Sequence, residues 1–336
     1  MRVAVCRPQA PFVRGGVEIF TDTLVEQLRA RDLEAEIVSL PWQGWPNDRL
    51  ATNAMMWRLV ELGPDLDMPA DLVIATKFPS YLLRHPNKVV WLVHQLRQAY
   101  ELHGTPLGQF SDSRDDRSIR RAIHDLDRSS LSEARKLLAT SHNVAERLER
   151  STGLTAEVLP HPPQELPYRC DCYGDFALCV GRLDAAKRID LLLEAAKLEP
   201  TLKVVVAGHG PERARLENLA SGNVRFVGYV AADVLADLYA RCGAVYYAPI
   251  DEDFGMVPYE AFRAAKPVVT TTDAGGPLEV VRDGENGRVV DSDSDAVVAA
   301  LRELLADDAM ARSFGEAGQS ATEQVNWDNA IAKLLA

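Results

Sequence analysis

Two carboxylates, Glu252 and Glu260, stand in the stretch PIDEDFGMVPYEAFRAAKPVV (residues 249–269) with seven residues between them. Pro258 suits the first turn of a helix, where its missing N–H would have no partner anyway, and Lys266-Pro267 closes that helix before the next strand. Glu252 is therefore predicted in a loop and Glu260 on the helix. The unpaired N–H groups and dipole at such a helix start, here Gly255, Met256 and Val257, favour an anion. DAGGPLEVV (273–281) offers a second start of the same kind through Gly275, Gly276 and Pro277. GRLDAAKRID (181–190) adds Arg182 and Lys187 behind a turn glycine, two cations suited to the same diphosphate. Glu260 is then left for neutral hydroxyls, since a carboxylate accepts both hydrogen bonds of a ribose 2′,3′ pair.

These side chains need a scaffold, and short β-branched runs alternating with amphipathic stretches supply the pattern of βα units in a parallel sheet. The first half is predicted to hold strands at 2–6, 35–40, 72–76, 89–94, 136–141 and 156–161. The second half repeats the pattern at 177–181, 203–208, 224–228, 244–249, 267–271 and 287–290. The prolines of PHPPQELPYRCDCYGD (160–175) suit neither a helix interior nor a central strand, so the linker belongs there. The expected fold class is α/β, with two Rossmann-like, doubly wound parallel-sheet domains over 1–165 and 166–320. A terminal helix over 321–336 is free to cross back to the first domain. Open parallel sheets bind ligands at the carboxyl ends of their strands, which predicts a site in a cleft between the halves. HQLRQAYELHGTP (94–106) puts Arg97, Tyr100 and His103 just past such a strand end, as acceptor-side candidates.

The chain has 336 residues, 47% of them hydrophobic, enough for roughly two domains. No apolar run approaches the ~18 residues of a membrane span, and MRVAVCRPQ opens on a strand instead of a signal-peptide core. A cytoplasmic protein is expected. Its formal charge of −12 argues against a broad nucleic-acid or anionic-membrane surface. Five cysteines without a CxxC pair fit reduced thiols better than a disulfide framework or zinc site. DSDSD (291–295) lacks the glycine of a calcium loop and reads as a helix-capping turn, while the mixed charges of 111–136 read as a solvated helix or loop. GHGPER offers Gly208 and Gly210 without a third glycine, hence a tight βα turn more than a dinucleotide fingerprint. Trp42, Trp45 and Trp57 are expected mainly to pack.

EDFGMVPYE resembles the E-x7-E signature of retaining GT-B glycosyltransferases of family 4, and the similarity continues through EAFRAAKPVVTTTDAGGPLEVVRDGENGRVV. It extends to GRLDAAKRIDLLLEA, VVVAGHGPERARLENLA, VRFVGYV, GGVEIFTDTLVEQL and TSHNVAERL, dense over 175–320 and thinner over 40–135. The resemblance implies a nucleotide-diphosphate sugar as donor, no cofactor and no metal. It places Arg182 and Lys187 on the diphosphate, Glu260 on the ribose and Glu252 beside the transferred sugar. It further implies that Gly15 and Gly16 lie near the phosphates and the acceptor and that His94 contacts the donor sugar; Gly208, in a turn that could line the cleft, joins Gly15 and Gly16 as a donor-side candidate. The sequence departs from the family at Asp253 and at Ala265, where glycine is usual. A soluble metabolite or glycan acceptor is expected, with peripheral membrane contact left open. Three rivals stay open at this point: a nucleotide-sugar 2-epimerase of the same architecture, a non-catalytic nucleotide-sugar binding protein and an NAD-dependent dehydrogenase.

Overall fold

The computed structural model describes residues 1–63 and 67–336. The chain divides into two compact units, one of Met1–His161 with Trp327–Ala336, the other of Pro162–Asn326. The division falls at His161/Pro162, inside the proline-rich stretch but ahead of the boundary at 165 read from the sequence. The returning segment begins at Trp327, later than the expected 321, because residues up to Ala321 continue a helix of the second unit.

The first unit runs β1 (Arg2–Gln9), α1 (Gly16–Arg29), β2 (Glu34–Pro41), α2 (Leu50–Met55), β3 (Leu72–Lys77), β4 (Lys88–His94), α3 (Arg114–Leu131), β5 (Lys136–Ala139), α4 (His142–Thr152) and β6 (Glu157–Val158). In the second unit follow β7 (Phe176–Val180), α5 (Ile189–Leu198), β8 (Lys203–Ala207), α6 (Arg213–Leu219), β9 (Val224–Gly228), α7 (Ala232–Arg241), β10 (Ala244–Tyr246), α8 (Met256–Arg263), β11 (Val268–Thr271), β12 (Gly287–Val290), α9 (Ser294–Ala306) and α10 (Asp308–Ala321). The last helix, α11 (Trp327–Leu335), returns to the first unit.

Both sheets are six-stranded and parallel, in the orders β2-β1-β3-β4-β5-β6 and β12-β11-β10-β7-β8-β9. In each, the chain first runs outward on one side and then on the other, so the order reverses between β1 and β3 and between β7 and β10. At such switch points the loops beyond the strand ends diverge and leave a crevice. The central strands β3, β4, β7 and β8 are near-continuous apolar buried runs, as expected where both faces are covered, whereas the edge strand β2 exposes Glu34 and Glu36. Val3, Val5, Ile74, Trp91 and Phe20 pack on one side of the first sheet together with Trp327, Ala330, Ile331 and Leu334 of α11. Trp57 is buried in the core on the other side, Trp42 sets its ring edge-on to Phe78 at 5.5 Å, and Trp45 is exposed.

Local signals are met in detail. Asp293 caps α9 by accepting from the Ala296 N–H at 2.8 Å, as expected of the DSDSD turn. The charged 111–136 segment is α3, capped by Ser113, yet it also buries Asp127 completely. All five cysteines are free thiols, with Cys6, Cys179 and Cys242 buried and Cys170 and Cys172 exposed. Among the described residues, no helix is long and apolar enough to cross a membrane.

Candidate functional site

In the second unit, four loops at the carboxyl ends of strands are laced together around the switch point. The loop after β7 is held against β8 by Gly181 N–H to Ala207 O and Leu183 N–H to His209 O, at 3.0 and 3.1 Å. This approach leaves no room for side chains. A Cβ on Gly208, whose φ is +149°, would stand 1.8 Å from Gly181 O, and one on Gly210 would stand 2.2 Å from Leu183 O. GHGPER is therefore the tight turn that packs the β8 loop onto the Arg182 loop. The loop after β10 joins the same assembly through Ile250 N–H to Ala186 O at 2.8 Å. It also pairs with the loop after β11, as Glu252 N–H donates to Ala274 O and Gly276 N–H to Glu252 O, both at 2.8 Å.

Lys187 and Glu252 meet where these loops converge. Lys187 Nζ forms an ion pair with Glu252 Oε2, and Tyr247 OH lies 3.2 Å from the ammonium and 3.1 Å from the same carboxylate oxygen. Burial alone would lower the Lys187 pKa, but the charge of Glu252 outweighs it and holds the ammonium protonated. Burial and Glu252 together push the Tyr247 phenol up, so it stays a neutral donor. Arg182 extends from the same loop with its side chain half exposed, 3.7 Å from Asp184.

Helix α8 starts at Gly255, whose φ of +80° turns the chain from the Glu252 loop into the helix. A Cβ there would press on Pro277 and Tyr247 at 2.9 Å, so glycine lets the helix start sit against the β11 loop. Val257 is buried, Met256 half-buried, and Pro258 lies in the first turn. One turn further, Glu260 Oε2 accepts a hydrogen bond from Tyr239 OH of α7 at 2.7 Å. Burial raises the Glu260 pKa and this bond opposes the rise.

Arg188, adjacent to Lys187, was not singled out in the sequence, yet it fastens the cluster. It takes φ +49° at the start of α5 and binds Asp273 with both terminal nitrogens at 2.7 Å, along with Thr271 Oγ1 and the carbonyls of Ala248 and Pro249. Asp273 is thereby held well below the usual carboxylate range by Arg188, and Ser292 and Thr271 add hydrogen bonds. The departure at Ala265 has a backbone meaning: it adopts φ +50°, the region that favours glycine.

In the first unit, Gly15 and Gly16 form the start of α1 beside β1, and Gly15 N–H donates to Glu18 Oε2 at 2.8 Å, one half of a capping box. Glu18 Oε1 lies 3.7 Å from Lys77 Nζ at the end of β3, so the switch point between β1 and β3 also carries an ion pair. Sequence reasoning missed both residues, although G-G-V-E is a capping-box spacing. His94 is Lys77's partner in the β3–β4 register. Its Nδ1 donates to Gln95 O at 2.5 Å, and burial first, then the charge of Lys77, lowers its pKa to about 4. It is neutral at pH 7, with Nε2 as an acceptor.

The other first-unit candidates do not form one group. Arg97 binds Glu101 at 2.7 Å, which Arg147 also contacts at 3.2 Å. Tyr100 stacks on His124 at 4.3 Å and donates its hydroxyl to the buried Asp127, which Tyr81 and Gln95 also reach. His103 Nε2 lies 3.8 Å from Asp112.

Residues 174–321 match the family described as Glycosyl transferases group 1. A GDP-mannose-dependent alpha-(1-6)-phosphatidylinositol monomannoside mannosyltransferase of Mycolicibacterium smegmatis is 26% identical, over 96% of this chain and 94% of that protein. The first curated relatives are matched over only a fifth to just over half of their own length. Among solved structures, a sucrose-phosphate synthase from Thermosynechococcus elongatus superposes with a TM-score of 0.74 at 18% identity, covering 99% of this chain and 97% of that one. HepE of Anabaena, in complex with UDP, gives 0.72 at 17% identity, over 100% and 99%. These likenesses fix the fold as that of GT-B glycosyltransferases. The matched stretch, residues 174–321, holds Arg182, Lys187, Glu252 and Glu260.

Proposed function

We propose that this protein is a retaining glycosyltransferase that moves a sugar from a nucleotide-diphosphate sugar to an acceptor hydroxyl without a metal ion. The observation that carries the reading is the meeting of Lys187 and Glu252 at the switch point of the second sheet, beside the start of the helix that holds Glu260. In this reading Arg182 and Lys187 hold the diphosphate, Glu260 accepts from the ribose hydroxyls, and Glu252 positions the donor sugar.

Glycosyl transfer expels a diphosphate while positive charge grows at the anomeric carbon, so stabilising both charges and aligning the acceptor hydroxyl are the main tasks. Lys187 is protonated and already beside a carboxylate, which a diphosphate oxygen would replace as its partner. Glu252, released from Lys187, would then face the sugar. The acceptor attacks the face the phosphate leaves, and the departing phosphate oxygen helps to take the acceptor proton. His94, neutral and with Nε2 accepting, suits a hydroxyl of the transferred sugar.

The test is thermal stability against a panel of UDP, GDP, ADP and TDP and their sugars, with and without EDTA. Ligand at ~100 times its dissociation constant adds ~2.7 kcal/mol, a shift of several degrees. A shift with one base that survives EDTA and is lost in Glu260→Ala or Arg182→Ala supports the reading. No shift with any of them overturns it. UDP is the first probe, because HepE, which shares the fold, is seen with UDP.

A further inference from the structure

Glu260 is useful to a ribose only if its carboxylate is charged and correctly turned, and burial works against the charge. Its Oε2 is engaged by Tyr239 OH at 2.7 Å, while among the described residues Oε1 has no hydrogen-bond partner. Tyr239 is fully buried on α7, within a wall that also contains Phe262, Tyr259 and Val257 of α8. Tyr168 sets its ring edge-on to Tyr239 at 5.9 Å. Among the described residues its own hydroxyl is buried without a hydrogen-bond partner, so it does not share the task.

We propose that Tyr239 is a positioning residue for the nucleoside: by donating to Oε2 it keeps Glu260 ionised and turned so that Oε1 alone meets the ribose hydroxyls. This rests on the donor-site reading of Glu260 given above. A hydrogen bond to a charged group is among the stronger ones in a protein, and removing it from a buried carboxylate favours the neutral acid. Tyr239 of α7 and Tyr168 from the segment before β7 face Glu260; Cys242 at the end of α7 lies by Tyr239, and Arg263 of α8, by Tyr168, donates its guanidinium to Val325 O at 2.7 Å. The phenols of Tyr168 and Tyr239 are raised by burial and by the Glu260 charge, so neither titrates near neutrality. The Cys242 thiol is likewise pushed up to about 12 by burial.

The experiment measures UDP, GDP, ADP and TDP affinity from pH 5 to 8 in the whole protein and in Tyr239→Phe, Glu260→Gln and Tyr168→Phe. In the wild type, affinity should fall on acidification as Glu260 takes a proton, and Glu260→Gln should abolish that fall. Tyr239→Phe should move the fall to higher pH, so that at pH 5.5 it binds about tenfold more weakly than the wild type, with a smaller difference at pH 8. Tyr168→Phe should follow the wild type. Uniform weakening of Tyr239→Phe at every pH, or an unchanged profile, overturns the positioning role while leaving the donor site standing. Unaltered binding by Glu260→Gln, or no binding of any of the four by the wild type, overturns the reading of Glu260 and this inference with it. If Tyr239→Phe does not fold, NMR of the wild type decides: a slowly exchanging Tyr239 hydroxyl proton, lost in Glu260→Gln, supports the bond, and its absence overturns it.

Discussion

The depressed His94 pKa converts directly into a dependence of stability on pH. An unfolded histidine takes its proton near 6.5, whereas His94 in the fold takes it near 4. Between these values the unfolded chain binds a proton that the native state refuses, so stability falls as the pH falls. At ~1.36 kcal/mol for each pKa unit, the full loss is about 3 kcal/mol at most, and about 2 kcal/mol has gone by pH 5. The stability is intact above 6.5 and fully lost below about 4. The perturbation is His94→Gln, which cannot protonate in either state. Urea midpoints at several values from pH 4.5 to 7.5 give the free energy of each protein, and the difference between wild type and variant cancels every other titrating group. That difference should shift towards the variant by about 2 kcal/mol between pH 7.5 and 5. Lys77→Met should reduce the effect, because the Lys77 charge is one cause of the depression. Parallel stability curves would refute the reasoning, as would an NMR titration placing His94 near 6.5.

Three further outcomes are expected. Lys187→Met removes the cation paired with the mostly buried Glu252, and should cost about 2 kcal/mol and abolish the nucleotide shift; adding Glu252→Gln should restore stability in denaturant melts but not binding. Gly208→Ala forces the β8 loop off Gly181 O and should cost about 2–4 kcal/mol, with nucleotide affinity lost alongside because the Arg182 loop moves; unchanged melting would contradict the close approach. Ala265→Gly relieves a left-handed residue and should raise stability by up to about 1 kcal/mol by calorimetry, with no effect on ligand binding.

The strands were legible because most are short β-branched or apolar runs, and the central ones are buried on both faces, which needs no particular partner. All the predicted strands are present, though several are shorter, as at Ala244–Tyr246, beyond which Tyr247 still donates its N–H to Val269 O while its hydroxyl reaches Glu252. The charges at the second switch point were legible through spacing: Lys187 stands shortly after one strand and Glu252 shortly after another, and the order reversal brings those loops together. Tyr247, Tyr239 and Arg188 were not legible, because apolar periodicity tells which residues are buried and not which carboxylate a buried hydroxyl or guanidinium will meet. The same holds for Asp127, which in sequence is one more charge on a charged helix and in the fold is the common acceptor of Tyr81, Tyr100 and Gln95. Ala265 carries a similar lesson: a departure at a glycine position reads as packing until its φ is known.

The return of α11 to the first unit has a consequence for biosynthesis. The second unit is one unbroken length of chain, Pro162–Asn326, inserted between two pieces of the first. On the ribosome the half made earlier therefore cannot close its hydrophobic face over Phe20 and Trp91 until residues 327–335 have been made, whereas the half made later has all of its parts beforehand. The order of synthesis and the order of completion run opposite ways, and a chain cut after His161 would leave that apolar face to water or to aggregation.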